Sequence, residues 1–292
     1  MKTRYFFLGT LLAFLFFTVN SAVAQTDTTL NKVYVVETYD GGEFVGALVY
    51  QDDKEVTIET EDRGRVTIPK YQIKTMKELK GGEFSLGGKY IPESAFASRY
   101  FLTTNGIPIE KGDSYILWNL YGPEFQFGVA KNFSVGIMTT WLAVPIIGTA
   151  KYSIRLGENA SLGIGTLLGT GSWTALSYGG VLPYGSLTFG DKRRNINLSG
   201  GYGAIFGNGN LEGRALLSVG GMTQVGKKVS LVFDSFILPR VEGGLAGGAL
   251  LIPGLRFQGQ PDRAFQFGFA GLVVNGNLIP FPIPVVQWFR KF

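Results

Sequence analysis

The 292-residue sequence contains no cysteine and no histidine. Their absence excludes disulfides, zinc sites built on Cys and His, c-type haem attachment, thiol nucleophiles and catalytic triads with a histidine base. It also excludes an anchor on a lipid-modified N-terminal cysteine. An enzyme of this composition would need a carboxylate pair or a Ser–Lys pair, and no spacing typical of either is present. The sequence therefore predicts no catalytic residue, no metal site and no cofactor.

Long apolar runs are scarce, and the longest lies near the N-terminus. It extends over residues 5–19, follows two basic residues, and is too short for a membrane-spanning helix, which needs roughly 20 residues. Small residues at Ala22 and Ala24 then provide a signal peptidase site before Gln25. We predict a signal peptide over residues 1–24 and export of the chain across a bacterial membrane.

The exported chain changes composition near residue 81. Residues 31–80 carry ten acidic and eight basic side chains, a net charge of −2, and almost no long apolar runs. Short alternating stretches separated by turns rich in Asp and Gly predict five strands. The predicted strands are 32–39, 43–50, 55–60, 65–68 and 73–79.

The stretch DGGEFVGALVYQDDKEVTIETEDRGRVTIPKYQI resembles the Sm-like/SH3-like small β-barrel. It has a DG turn, a bent second strand at Gly46, and Pro69 at the end of the fourth strand. The resemblance implies a small five-stranded β module over residues 25–80. Sm-like proteins often bind RNA, but the acidic balance of an exported segment argues against a nucleic-acid partner. We expect a periplasmic interaction or packing module, with a partner that the sequence does not identify.

The chain from residue 98 onward is rich in glycine and aromatic residues, with 33 of the 42 glycines. Apolar residues alternate there with small polar ones, as in Phe125 to Val129 and Phe265 to Phe269. One face of such strands is aromatic or branched, while the other is Gly, Ser, Asn or Gln, which suits a wet lumen. A soluble β-sandwich also alternates, but this aromatic face would aggregate in water. We predict a linker over 81–97 and an outer-membrane β-barrel over 98–292.

Short polar breaks set the number of strands. They lie at 131–132, 157–159, 191–194, 226–228 and 259–263. Five such turns imply about twelve antiparallel strands when both ends of the barrel are periplasmic. The fold class is therefore all-β, with a transmembrane barrel preceded by the small SH3/Sm-like domain.

The C-terminal strand is aromatic and ends with Trp288 and Phe292. It resembles the signal by which the barrel-insertion machinery recognises bacterial outer-membrane barrels. The stretch SRYFLTTNGIPIEKGDSYILWNLYGPEFQFGVAKNFSVG also resembles the opening of outer-membrane barrel proteins from Bacteroidetes-type bacteria. These resemblances imply fold and location, and they imply no activity.

The parity of the aromatic face predicts which charged side chains enter the lumen. They are Glu124, Lys151, Arg155, Glu212, Arg214, Asp234 and Arg256. Four basic against three acidic groups favour a passive, weakly anion-preferring channel for small solutes. The alternative is a structural or surface-binding barrel plugged by Arg and carboxylate hydrogen bonds, and both remain open. An enzyme that uses carboxylates is the less favoured third choice, so we predict a non-enzymatic protein embedded in outer-membrane lipid.

Overall fold

The computed structural model describes residues 32–79, 93–171, 178–207, 210–240, 247–260, 262–274 and 277–292. The predicted signal peptide with Ala22, Ala24 and Gln25, and most of the predicted linker, lie outside these ranges. The chain divides into two compact units, Met1–Lys80 and Gly81–Phe292.

Five antiparallel strands form the first unit, in the spatial order β4-β3-β2-β1-β5. Their bounds are β1 Val33–Thr38, β2 Glu43–Gln51, β3 Glu55–Thr60, β4 Gly64–Pro69 and β5 Ile73–Glu78. A single 3-10 turn, Lys70–Gln72, connects β4 to β5. The prediction of five strands is confirmed, with each bound within one residue.

Alternating apolar residues build the core of this first unit. Val36, Val56, Ile58 and Ile68 point to one side and are buried together. Strand β2 approaches β3 so closely at Gly46 that a Cβ there would lie 2.3 Å from a carbonyl oxygen of β3. Glycine is therefore required at the position where the sequence predicts the bend.

Twelve antiparallel strands close the second unit into a barrel, and each strand pairs with the next along the chain. Their bounds are β6 Ser114–Asn119, β7 Gly122–Ala130, β8 Phe133–Thr139, β9 Ile146–Arg155, β10 Ala160–Thr170, β11 Gly179–Gly190, β12 Arg194–Gly207, β13 Asn210–Gln224, β14 Val229–Leu238, β15 Gly248–Gln260, β16 Arg263–Val274 and β17 Asn277–Lys291. The last strand, β17, pairs with β6 and completes the ring. The predicted twelve-stranded antiparallel barrel is confirmed.

The five predicted polar breaks all form tight connections at one end of the barrel, which we call the turn end. They join β7 to β8, β9 to β10, β11 to β12, β13 to β14, and β15 to β16. Strand β6 begins at this end, and Phe292 lies there. The opposite rim is called the loop end.

The two faces of the wall differ as the alternation predicts. Outward side chains are apolar and exposed, and examples are Tyr152, Ile164, Phe189, Leu198 and Leu231. Inward side chains of the same strands are small or polar and largely buried. Among the described residues, no helix is long and apolar enough to cross a membrane.

The segment before the first wall strand differs from the prediction. The predicted barrel begins at residue 98, but its first strand, β6, starts only at Ser114. Residues 93–113, which we call the plug, enter the barrel and contact inward side chains from opposite walls, among them Lys151 of β9 and Arg256 of β15. The physical reason is that the run TTNGIP at 103–108 interrupts alternation with residues that favour turns.

Candidate functional site

The plug and the inward wall residues form a buried polar site inside the barrel. Four of the seven residues predicted to face the lumen are buried against the plug: Glu124, Lys151, Asp234 and Arg256. Each is placed by the alternation of its own strand, on β7, β9, β14 and β15. Their hydrogen bonds determine how the plug is held.

Asp234 binds the backbone of the plug. Its Oδ2 accepts the N–H groups of Leu102 at 2.6 Å and Thr103 at 2.8 Å. Its Oδ1 accepts the hydroxyl of Thr103 at 2.6 Å. A carboxylate buried without partners would be costly, so these three donors make the position of residues 102 and 103 energetically important.

Arg99 of the plug and Glu124 of the wall form a buried ion pair. The distance from Nη2 to Oε2 is 2.6 Å, and the side chains are 6% and 0% exposed. Gln126 donates to the other carboxylate oxygen at 3.0 Å. A buried pair of this kind is stable when its remaining polar atoms are satisfied. Here the Nε of Arg99 has no hydrogen-bond partner among the described residues.

Arg256 connects the wall to two carbonyl groups of the plug. Its guanidinium donates to Phe96 O at 2.6 Å and Arg99 O at 2.5 Å. Its Nε donates to Gln266 Oε1 at 2.6 Å, and the guanidinium carbon lies 4.8 Å from the centre of the Phe289 ring. The rigid fork of arginine suits such a site, because several donors leave the side chain in fixed directions.

Lys151 is the counterpart of Arg256 on the opposite wall. Its Nζ donates to Asn105 O at 2.9 Å, Ile107 O at 3.1 Å and Thr104 Oγ1 at 3.2 Å. A lysine ammonium has three donors, and all three are used here. The plug is therefore fixed from both sides of the barrel.

Uncharged side chains complete the attachment. Gln266 donates to Tyr100 O at 3.3 Å and to Gln287 at 2.9 Å. Gln287 in turn donates to Phe101 O at 2.8 Å. The Tyr100 hydroxyl donates to Asn195 Oδ1 at 2.5 Å.

Inward glycines make room for the aromatic rings of the plug. A Cβ at Gly220 would lie 2.7 Å from the Tyr100 ring, and Cβ atoms at Gly254 and Gly268 would lie 2.4 and 2.7 Å from the Phe101 ring. The expectation that these small residues border a wet lumen is wrong at this level of the barrel. They border protein, and both rings are fully buried.

The other three predicted lumen residues lie nearer the rims. Arg155 is exposed at the turn end and pairs with Glu110 of the plug at 3.0 Å. Glu212 is exposed toward the loop end, and Arg214 is half-buried and donates to Pro239 O at 3.0 Å. In the described part of the chain, no group of three or more acidic side chains could hold a metal ion.

The two residues of the predicted insertion signal face outward at the turn end. Trp288 is 45% exposed, and its ring centre lies 5.6 Å from that of Phe265. Phe292 is 65% exposed and packs edge-on against Phe127 at 5.8 Å. Their role in insertion stays a prediction.

A cavity lies between the plug and the loop end, and we call it the loop-end cavity. The volume open to the centre of a water molecule is about 80 Å³. Its apolar lining includes Leu102, Met138, Leu167, Leu182, Leu216 and Phe236. Arg99, Tyr184 and Ser218 are among its polar lining residues.

Sequence reasoning missed the plug side of this site. Arg99, Tyr100 and Asn105 have no regular spacing that would assign them to a strand face. The sequence offers one signal here: Arg99 is followed by the run Thr-Thr-Asn-Gly-Ile-Pro at 103–108, which is too irregular for a wall strand. That signal predicts a break in the wall, but it does not say that the segment turns inward.

Comparisons with known proteins give only distant likenesses. No protein-family model matches the chain, and no curated protein matches it. The chain is similar to a solved structure of the NanC porin, with a TM-score of 0.43 and 12% identity over 62% of this chain and 98% of that one. It is also similar to outer-membrane expressed OmpT of Vibrio cholerae, with a TM-score of 0.39 and 9% identity over 90% and 95% of the two chains.

Proposed function

We propose that this chain is an integral outer-membrane β-barrel protein, closed by its own plug, that serves as a non-enzymatic binding or structural barrel. Insertion in lipid is supported by the closed ring of strands, which leaves no unpaired edge, and by the apolar outward face. In water the same face would be an aggregating surface. The outer membrane is the location that fits an exported barrel.

Closure is carried by one observation: the four buried charges of the wall all bind the plug. Glu124 pairs with its arginine, Asp234 accepts its N–H groups, and Lys151 and Arg256 donate to its carbonyls. Removing the plug would leave Glu124 with Gln126 and Arg256 with Gln266, and would remove every hydrogen bond that the four charges make to the plug. Breaking one buried pair costs several kcal/mol, about 3–5, so spontaneous opening has a high free-energy cost.

The orientation follows from the two ends of the barrel. Outer-membrane barrels have short periplasmic turns, so the turn end faces the periplasm. The plug begins at this end, where Glu93 pairs with Lys192 at 3.4 Å and with Arg193 at 3.7 Å. We assign residues 32–79 to the periplasm and to the SH3/Sm-like class, which is supported by the strand order, the close approach of β2 to β3 at Gly46 and the 3-10 turn.

A passive channel, the other function predicted from the lumen charges, needs a route past the plug. Twelve tilted strands close at a backbone radius of roughly 12 Å, which leaves a narrow lumen once inward side chains are counted. The plug lies in that space with fully buried Phe96, Tyr100 and Phe101. The geometry therefore favours the closed barrel.

Planar bilayer recording tests the closed barrel. We expect the folded chain to insert without discrete conductance, and a variant lacking residues 93–112 to give reproducible conductance steps. Heat-dependent electrophoretic mobility verifies that each sample is folded. Discrete, voltage-reproducible conductance of the unmodified protein would overturn the proposal. If the deletion variant does not fold, the recording of the unmodified protein alone decides the test.

The non-enzymatic assignment is supported by how the lumen carboxylates are used. Glu124 and Asp234 each accept hydrogen bonds from an arginine, a glutamine or plug backbone groups. Both are buried, and their lone pairs face protein donors. A general acid or base must instead contact the proton it transfers.

A further inference from the structure

We infer that a groove on the outward face at the turn end binds an anionic phospholipid through its phosphate. The groove, which we call the turn-end groove, crosses the neighbouring strands β15, β16, β17 and β6 and has a volume of about 530 Å³. This inference rests on the proposed membrane barrel, because only insertion brings lipid to this face. Three observations support it: a row of aromatic side chains, a pair of opposed arginines, and the charge of the surrounding rim.

Four aromatic side chains form a row across the turn-end groove. Trp288 of β17 lies opposite Trp118 of β6 on one side and opposite Phe265 of β16 on the other. Phe257 of β15 comes next and lies opposite Phe265. All four line the groove. Tryptophan and other aromatic rings are enriched where a barrel wall leaves the hydrocarbon region, so this row indicates the level of the membrane boundary.

Two arginines lie one outward position nearer the turn end than the aromatic row. Arg263 of β16 and Arg290 of β17 are directly opposed in the strand register. Both are exposed, and both line the groove. Opposed residues of antiparallel strands have Cβ atoms roughly 4.5–5.5 Å apart, and like charges at that spacing destabilise the sheet. An anion between the two guanidinium groups would remove the repulsion, and a phosphate fits their planar set of donors.

The acidic side chain beside this pair neutralises only one of the two arginines. Nε of Arg263 donates to Oδ2 of Asp262 at 3.3 Å. The side chain of Arg290 makes no hydrogen bond or ion pair with a described residue. One positive charge of the groove is therefore left for a bound anion.

The neighbouring charged residues do not supply that anion. Lys291, next to Arg290, pairs with Asp113 at 2.8 Å, so this carboxylate is already used. The adjoining turn between β13 and β14 contributes Lys227 and Lys228, which are both exposed, and no acidic residue. A rim of this charge attracts a headgroup with a net negative charge more strongly than a zwitterionic headgroup.

Tryptophan quenching by lipids with brominated acyl chains measures occupancy, since Trp118 and Trp288 line the groove. The full chain is reconstituted in phosphatidylcholine vesicles that contain equal small fractions of brominated phosphatidylglycerol or brominated phosphatidylcholine. We expect quenching by the phosphatidylglycerol to be about twofold stronger, and we expect molar salt to reduce the difference, because it screens exposed charges. Equal quenching by the two lipids, as a second copy of the chain in the groove would give, would overturn the inference.

The arginines are tested by Arg290→Gln and by the double variant with Arg263→Gln. We expect the single variant to reduce the excess quenching by phosphatidylglycerol and the double variant to abolish it. Arg194→Gln is the matched control, because Arg194 is also exposed at the turn end but lies on β12, away from the groove. An equal loss in the control would assign the preference to total charge and would overturn the site. If a groove variant does not fold, the lipid and salt comparisons on the unmodified chain decide the test.

Failure of the site is distinguishable from failure of the membrane barrel. A chain outside the bilayer is quenched by neither brominated lipid. An inserted barrel without the site is quenched by both lipids to the same extent.

Discussion

Single residues determine how the plug fits the wall. Gly220 lies directly under the Tyr100 ring, so any side chain at 220 competes with that ring for the same space. Gly185, on the neighbouring part of the sheet, has open space where its Cβ would be, and its outward face is exposed. A side chain at position 220 would therefore collide with the plug, whereas a side chain at position 185 would not.

Substitution of Gly220 and Gly185 tests whether the packing of the Tyr100 ring requires a glycine. We expect Gly220→Leu to destabilise the folded barrel by about 1–3 kcal/mol, because overpacking forces the ring or the wall to move. Gly185→Leu should leave stability nearly unchanged. The measurement is the denaturant midpoint of each variant in detergent, followed by the loss of heat-dependent mobility. Equal midpoints for the two variants would contradict the observed packing of Tyr100.

In two turns of the first unit, an aspartate side chain accepts hydrogen bonds from backbone N–H groups of the same turn. The Thr38 hydroxyl and the Gly42 N–H donate to Asp40, and these hydrogen bonds hold the pKa of its carboxyl below the ordinary value. Asp52 accepts two backbone N–H groups of its own turn at 2.8 Å, which lowers its pKa in the same way. Both turns are therefore stabilised by the ionised form.

The pH dependence of the first unit follows from these lowered pKa values. The stabilisation is present above the unfolded value of about 3.9 and is lost as the pH falls through the lower folded pKa. We expect Asp40→Asn and Asp52→Asn to lower the melting temperature of a fragment spanning residues 25–80 by a few degrees at pH 7 and by much less at pH 2. Circular dichroism at both pH values measures this. Asp53→Asn, in the same turn as Asp52, is the control, and an equal loss at both pH values would contradict the mechanism.

The strands can be predicted because each carries a local alternation of apolar and polar residues. The plug carries no such local pattern. Alternation in β7 or β16 can be read from a few neighbouring residues, and polar breaks mark where a hairpin turns. The plug has no such periodicity, because its conformation is set by wall residues distant in sequence. Asp234, for example, binds Thr103 across 131 positions of the chain. Parity therefore identified the wall half of the site, and it could not identify Arg99 or Tyr100.

At the scale of the whole molecule, the outward face determines the behaviour in solution. Exposed apolar side chains surround the barrel, among them Tyr152, Leu168, Leu198 and Phe269. A soluble protein rarely exposes so continuous an apolar surface. The buried charges of the wall face the inside, where Glu124, Lys151, Asp234 and Arg256 bind the plug.

Membrane association is the corresponding prediction. We expect the chain, expressed with residues 1–24 in a Gram-negative host, to sediment with the outer membrane and to require detergent for extraction. Boiling should change its electrophoretic mobility, because a folded barrel binds less dodecyl sulfate. Quantitative recovery in the detergent-free soluble fraction would contradict insertion in lipid.

The pairing of β6 with β17 joins the first and last strands of the barrel. Asn119 and Gln287 are neighbours across that seam, although ten other strands separate them along the chain. The plug immediately precedes β6, so we expect it to lie inside the curved sheet before β6 and β17 pair and close the barrel. We expect the sheet to close around a plug that is already in place. The polar atoms of the plug then find their wall partners before the barrel closes. A substitution that disrupts the plug would slow or prevent the pairing of β6 with β17.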